Sequence, residues 1–164
     1  MNKRWILKER PAEKQVEALC LAININATLA SILVQRGICE FETAKDYFRP
    51  SLQHLHNPFL MKGMERAVIR LRKAIESNEK ILIYGDYDVD GTTSVALVYS
   101  YLSKFHHNGE IYVPDRYTEG YGISLAGIEY AEQNGFTLII ALDCGIKSSE
   151  LVEIARLKGI DFII

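Results

Sequence analysis

The chain has 164 residues, of which 48% are hydrophobic and 24% charged, and its net charge at pH 7 is −2. This length and composition predict one globular domain, or one domain with an appendage, and exclude a disordered chain. The small excess of acidic groups excludes a protein that holds nucleic acid by overall positive charge, so any such contact has to be local or mediated by a metal ion.

The cysteine content and the hydrophobic pattern predict a soluble protein of a reducing compartment. Cys20, Cys39 and Cys144 have no zinc-type spacing and follow no secretory signal, so we expect a cytoplasmic protein. No apolar stretch reaches the roughly 18 residues that a membrane helix needs, and we expect no membrane partner.

Short helices are predicted for the first part of the chain. Apolar residues recur at helical spacing over 11–23 and 26–34, and a third short helix is predicted over 40–48. Residues 51–62 are predicted to form a connecting loop. We therefore predict a helical N-terminal appendage over residues 1–62.

From residue 63 onward, helices and strands are predicted to alternate. A helix with one apolar face covers Met64 to Ile75. The predicted strands are 81–84, 110–113, 137–142 and 161–164, and the helices between them are 92–105, 124–133 and 148–157. Strands separated by helices of this length predict an α/β fold, a parallel sheet with helices on both faces. Because the sequence stops in an apolar strand, we expect residues 63–164 to be the first part of a longer domain.

Three aspartates, Asp86, Asp88 and Asp90, follow the first predicted strand in ILIYGDYDVDG. Their spacing matches the opening of an EF-hand calcium loop, whose twelfth position is a bidentate Glu. That position is Leu97 in this chain, and the segment before the aspartates is a predicted strand rather than a helix. A calcium loop is therefore disfavoured, although a single Asp before a helix would be an ordinary N-cap.

A fourth aspartate, Asp143, follows the third predicted strand in LIIALDCGI. In open parallel sheets, ligands gather beyond the carboxyl ends of the strands, where these carboxylates would meet. Like charges in one crevice repel unless a cation neutralises them, and oxygen ligands favour Mg²⁺ or Mn²⁺. Such a site suits phosphoryl chemistry. Free N–H groups of the next helix, at Gly91, Thr92 and Thr93, are predicted to bind a phosphate oxygen.

These motifs resemble those of a known family. IYGDYDVDGTTSVAL resembles motif I of the DHH phosphoesterase superfamily and ALDCGI resembles its motif II, while VPDRYTEGYGIS resembles the stretch between them in RecJ-type exonucleases. The resemblance implies an enzyme that uses Mn²⁺ or Mg²⁺, with two ions in the complete protein, to degrade single-stranded DNA from 5′ to 3′ in recombination and repair. It also implies a repair helicase or a single-strand-binding protein as a partner.

The resemblance carries residue roles with it. It implies that Asp88, Asp90 and Asp143 are catalytic metal ligands, that Asp86 is a ligand or a supporting acid, and that Arg116, Tyr121 and Gly122 face the substrate. The Asp-His-His of motif III, expected soon after Ile164, is not in this sequence. We therefore expect the chain alone to bind metal weakly and to be catalytically inactive.

Two alternatives remain open. One is a DHH-type phosphodiesterase acting on short oligonucleotides or cyclic dinucleotides, although such relatives usually carry His and Pro in motif I, where this chain has Tyr84 and Tyr87. The other is a non-catalytic, Mg²⁺-binding α/β module.

Two further features are predicted to be structural. The charged stripe that contains Arg66 and Arg70 is predicted to be a solvated helix face. Cys144, beside Asp143, is predicted to be a small buried thiol rather than a nucleophile, because no His is placed by the sequence to activate it.

Overall fold

A computed structural model describes residues 4–164, which form two compact units, one ending at Leu60 and the other beginning at Met61. The first unit is helical, as predicted. It contains α1 (Glu13–Ile23), α2 (Ala27–Val34), α3 (Phe41–Phe48) and two short 3₁₀ turns, Leu52–His54 and Pro58–Leu60. Leu19, Ala30 and Ala44 are fully buried at its centre.

Within residues 4–164, no single helix is both long enough and apolar enough to cross a membrane. Only α1 and α2 taken together pass that test by length and composition, and they are bent by 114° where they join.

The second unit is the predicted α/β fold. Its elements are α4 (Met64–Glu76), β1 (Ile81–Gly85), α5 (Val89–Leu102), β2 (Gly109–Tyr112), α6 (Leu125–Gln133), β3 (Leu138–Leu142), α7 (Ser149–Leu157) and β4 (Asp161–Ile163). The four strands are all parallel and lie in the order β2-β1-β3-β4. The prediction of a parallel sheet with helices is confirmed.

The two faces of the sheet have separate hydrophobic cores. Alternate residues of β1 point to opposite faces, and all five are buried, as expected for a central strand covered on both sides. Leu82 and Tyr84 pack against α6 and α7, whereas Ile81 and Ile83 pack against α4 and α5. Burying one such aliphatic side chain contributes roughly 1.5–3 kcal/mol, so the packing on both faces holds β1 firmly in the unit.

The helix that follows the aspartate motif begins earlier than predicted. The prediction placed its start at Thr92 and its end at Phe105, but α5 runs from Val89 to Leu102. The reason for the early start is that Asp88 acts as the N-cap, with its Oδ1 accepting a hydrogen bond from Gly91 N–H at 2.9 Å. Asp90, two residues before the predicted start, lies inside the first turn instead.

The prediction that Arg70 lies on a solvated face is wrong. Its guanidinium is mostly buried and donates to Glu79 Oε2 at 2.7 Å, to Thr137 O at 3.2 Å and to the Asp161 carboxylate. Arg70 therefore joins α4 to the strands of the sheet, whereas Arg66 of the same stripe is exposed.

Candidate metal and substrate site

The carboxyl ends of β1 and β3 are neighbours at the topological switch point of the sheet, where the strand order reverses. From β1 the chain crosses to β2 on one side, and it then returns past β1 to β3 on the other side. Crevices at such switch points are where open α/β sheets bind ligands. Gly85 is paired in register with Leu142, so Asp86 and Asp143 leave the two strands at the same level.

Asp86 is completely buried. Its Oδ1 accepts a hydrogen bond from Gly122 N–H at 3.2 Å, whereas its Oδ2 is buried with no hydrogen-bond partner in the described residues. Gly91 lies directly on its backbone, because a Cβ at Gly91 would stand 2.3 Å from Asp86 O. A buried carboxylate oxygen without a partner is costly, which favours a role for Asp86 in holding a ligand.

Asp88 and Asp90 lie at the start of α5 and are exposed. Asp88 is the N-cap, and Asp90 lies in the first helical turn. The prediction that Gly91 and Thr92 offer free N–H groups to a phosphate is wrong, because Gly91 N–H donates to Asp88 Oδ1 and Thr92 N–H donates to Asp88 O at 3.0 Å. Thr93 is exposed on the same turn.

Asp143 has an unusual backbone conformation. Its φ of 57° lies in the left-handed region, where residues with a Cβ are disfavoured, although Asp tolerates it better than most. Its side chain is exposed. An open cleft of about 660 Å³ lies beside it, lined among others by Tyr121, Gly122, Cys144 and Lys147.

Two tyrosines and an arginine stand at the rim of the acidic crevice. The rings of Tyr87 and Tyr121 meet edge to face, with centroids 6.2 Å apart. The Arg116 guanidinium carbon lies 5.2 Å from the centroid of the Tyr87 ring, a cation–π arrangement. Tyr87 was not predicted as a site residue, although its place within the aspartate motif was a signal that could have identified it.

Glu119 was also not predicted as a site residue. Its carboxylate accepts hydrogen bonds from Asp115 N–H and the Tyr112 hydroxyl, both at 2.8 Å, and from the Ser124 hydroxyl. Glu119 stands in the quoted VPDRYTEGYGIS motif, but nothing in the spacing of that motif reveals three donors around one carboxylate.

The negative charges of the aspartates contribute to raised pKa values of two neighbouring side chains. The pKa of the Tyr121 hydroxyl is raised by desolvation and then by the charges of Asp86, Asp143 and Asp88. Burial, followed by the charges of Asp86 and Asp143, raises the pKa of the Cys144 thiol to about 11. Cys144 therefore stays protonated at neutral pH, which agrees with the prediction that it is not a nucleophile.

Residues 80–164 match the model of the DHH family, N-terminal domain. The chain belongs to the DHH family. Over 161 residues it is 38% identical to the single-stranded-DNA-specific exonuclease RecJ of Bacillus subtilis, an alignment that covers 98% of this chain and 20% of that protein.

Two solved structures share the fold of this chain. A crystal structure of exonuclease RecJ bound to manganese is 26% identical with a TM-score of 0.57, and the match covers 62% of this chain and 26% of that one. RecJ of Thermus thermophilus in complex with Mn²⁺ shares the fold at 21% identity and a TM-score of 0.65, covering 97% of this chain and 22% of that one. The chain thus spans about a fifth of the length of the relatives it matches.

The carboxylate oxygens of this DHH-family chain are the kind of ligand that a hard divalent cation such as Mg²⁺ or Mn²⁺ prefers. Four carboxylates stand at one edge of the sheet, and the Oδ2 of Asp86 has no partner among the described residues. However, no three His, Cys, Asp or Glu side chains in residues 4–164 are arranged to hold one ion. Carboxylate oxygens are thus present at this edge, but residues 4–164 do not form a complete metal site.

Proposed function

We propose that the complete protein is a metal-dependent phosphodiester hydrolase that degrades single-stranded DNA. The observation that carries this proposal is the register of β1 and β3, which brings Asp86 and Asp143 out at the same level of the crevice. A family with manganese-bound members and a relative named for single-stranded DNA support it.

We assign metal binding to the exposed carboxylates of Asp88, Asp90 and Asp143, with Asp86 behind them. Bound Mn²⁺ or Mg²⁺ would activate a water and neutralise charge on the scissile phosphate. Asp88 can keep its N-cap hydrogen bond through Oδ1 while its other oxygen remains available. Motif III, which the family's name implies but this sequence does not contain, would supply the ligands that the chain lacks.

The rim residues would hold the DNA strand. Arg116 carries a charge that suits a phosphate, and guanidinium–phosphate hydrogen bonds are among the stronger ones. Tyr87 and Tyr121 present aromatic rings beside it, and bases stack on such rings with little dependence on sequence. Gly122 carries no side chain, which leaves room for the DNA strand beside Asp143. This pairing of a cation with rings fits single-stranded rather than paired DNA.

The finer parts of the proposal depend on regions beyond this chain. We propose 5′ to 3′ digestion in recombination and repair, in the cytoplasm, with a helicase or a single-strand-binding protein as a partner. We also propose that the chain alone is inactive, because no three His, Cys, Asp or Glu side chains in residues 4–164 are grouped to hold a metal ion.

The experiment compares this chain and the complete protein in Mn²⁺ calorimetry and in cleavage of single-stranded DNA. Asp88→Asn and Asp143→Ala are expected to abolish cleavage and weaken Mn²⁺ binding in the complete protein. Glu150→Ala, an exposed carboxylate on α7, is the matched control and should behave as wild type. If both site variants cleave single-stranded DNA at the wild-type rate, the proposal is refuted. Faster cleavage of dinucleotides than of long strands would favour the short-oligonucleotide phosphodiesterase instead.

A further inference from the structure

The loop that joins β2 to α6, residues 113–124, is built around Glu119. One carboxylate oxygen, Oε1, accepts from Asp115 N–H at the start of the loop. The other, Oε2, accepts from the Tyr112 hydroxyl at the end of β2 and from the Ser124 hydroxyl at the start of α6. A single side chain therefore ties the two ends of the loop together.

One end of this loop is fixed to the sheet independently of Glu119. Ser124 caps α6 by accepting from Gly127 N–H at 2.9 Å, and its own N–H donates to the Tyr84 hydroxyl at 3.1 Å. That hydroxyl in turn donates to Gly122 O at 2.8 Å. Because Tyr84 belongs to the fully buried central strand, Gly122 and Ser124 form the rigid end.

In the first half of the loop, Asp115 Oδ1 accepts from the N–H groups of Tyr117 and Thr118, both at 2.9 Å, and so forms a turn. Glu119 connects this turn to the rigid end, because it accepts from both Asp115 N–H and the Ser124 hydroxyl.

The two rim residues of the loop depend on that connection. Arg116 follows Asp115, whose N–H is held by Glu119, and Tyr121 lies between Glu119 and the fixed Gly122. Both side chains are exposed and contact Tyr87 rather than the hydrophobic core. Their positions over the aspartates are therefore set by the loop backbone and not by their own packing.

Glu119 itself is unsuited to bind metal or substrate directly, since its carboxylate already accepts three hydrogen bonds from within the loop. We infer that Glu119 is the positioning residue of this loop, holding Arg116 and Tyr121 where single-stranded DNA crosses the aspartate crevice. This inference rests on the proposed function for its substrate. It predicts a defect in DNA binding that leaves the metal site intact.

The test uses the complete protein with Glu119→Ala, Glu119→Gln and the control Glu129→Ala, an exposed carboxylate on α6. Steady-state cleavage of oligothymidylate is measured together with Mn²⁺ affinity. Loss of the loop's support for base stacking and phosphate binding should raise KM about tenfold in Glu119→Ala. We expect kcat and Mn²⁺ affinity to stay within about twofold of wild type. Glu119→Gln should fall between the two, because its amide retains one acceptor, and Glu129→Ala should match wild type.

An unchanged KM in Glu119→Ala would overturn the inference, as would a joint fall in kcat and Mn²⁺ affinity, which would place Glu119 at the metals. Hydrogen exchange by mass spectrometry gives a readout that does not need activity. Glu119→Ala should speed exchange in peptides spanning 113–124 and leave peptides of β1 and β3 protected. If wild type does not cleave DNA, the proposed function and the DNA-binding part of the inference fail, and the exchange pattern decides only whether Glu119 positions the loop. If the alanine variant loses protection everywhere, Glu119→Gln is judged by the same pattern.

Discussion

Gly85 of β1 is paired in register with Leu142 of β3. These are the last residues of the two strands, and an aspartate follows each of them, so one parallel pairing brings Asp86 and Asp143 to the same level of the crevice. The two differ in how they are held: Asp86 is fully buried and bonded to Gly122, whereas Asp143 is exposed with φ at 57°. The site thus combines a carboxylate fixed inside the protein with one presented to the solvent by its backbone.

Asp88 caps the N-terminus of α5 and is also proposed to bind the catalytic metal. Two substitutions distinguish these two roles. Asp88→Ala removes the N-cap of α5 and should lower the free energy of unfolding by about 1 kcal/mol. Asp88→Asn keeps an oxygen that can accept from Gly91 N–H and should leave stability nearly unchanged. Both should lose Mn²⁺-dependent cleavage in the complete protein. Urea denaturation and calorimetry check the pair, and full activity in Asp88→Asn would mean that Asp88 is only a cap.

The left-handed backbone conformation of Asp143 allows its effect on stability to be separated from its proposed role in cleavage. Asp143→Gly should keep the free energy of unfolding within about 1 kcal/mol of wild type, because relief of the left-handed cost is offset by greater freedom of the unfolded chain. Asp143→Val should lose about 1–2 kcal/mol, since a β-branched residue is disfavoured there. Neither variant should support cleavage.

The control for Asp143 is Asn78, which has a similar φ of 51° and lies far along the chain from that aspartate. Asn78→Gly should show the same small change in urea denaturation with wild-type Mn²⁺ affinity. If Asp143→Gly also keeps that affinity, Asp143 is a turn residue and not a ligand.

The sequence predicted the parts of this fold that depend on local pattern. The apolar runs of β1 and β3, each followed by an aspartate, were sufficient to predict the sheet edge where Asp86 and Asp143 lie. What it could not predict were contacts between residues distant in sequence. Arg70 bonds to Asp161, 91 positions away, and Asp86 bonds to Gly122, 36 positions away. Periodicity carries no information about such pairs, which depend on how elements pack.

Gly91 is predicted to be intolerant of any side chain. A Cβ there would stand 2.3 Å from Asp86 O and 2.7 Å from Asp86 N, and neither backbone atom can move without disturbing β1. Gly91→Ala should lower the free energy of unfolding by roughly 1–3 kcal/mol despite the better helix propensity of alanine. Thr93→Ala, at an exposed position on the same turn, should stay within about 0.5 kcal/mol of wild type. Equal stability of Gly91→Ala and wild type in urea denaturation would contradict the close approach.

The loop at residues 113–124 should loosen in acid. Burial raises the pKa of Glu119, but the hydrogen bonds from Ser124, Asp115 and Tyr112 outweigh it, so the folded pKa lies below the ordinary 4.5. A carboxyl with a lowered folded pKa stabilises the protein above its unfolded pKa, and this contribution is lost as pH falls through the folded value. The pKa of Asp115 is lowered as well, chiefly by hydrogen bonds from Thr118.

We therefore expect the loop to exchange amide hydrogens faster once pH drops below about 4.5, with β1 still protected. Glu119→Gln cannot titrate and should show a smaller change across that window, while Glu129→Ala should follow wild type. Hydrogen exchange between about pH 7 and about pH 3, corrected for the intrinsic rate at each pH, measures this. A wild-type loop whose protection is constant over that whole range would show that the charged form of Glu119 does not hold it.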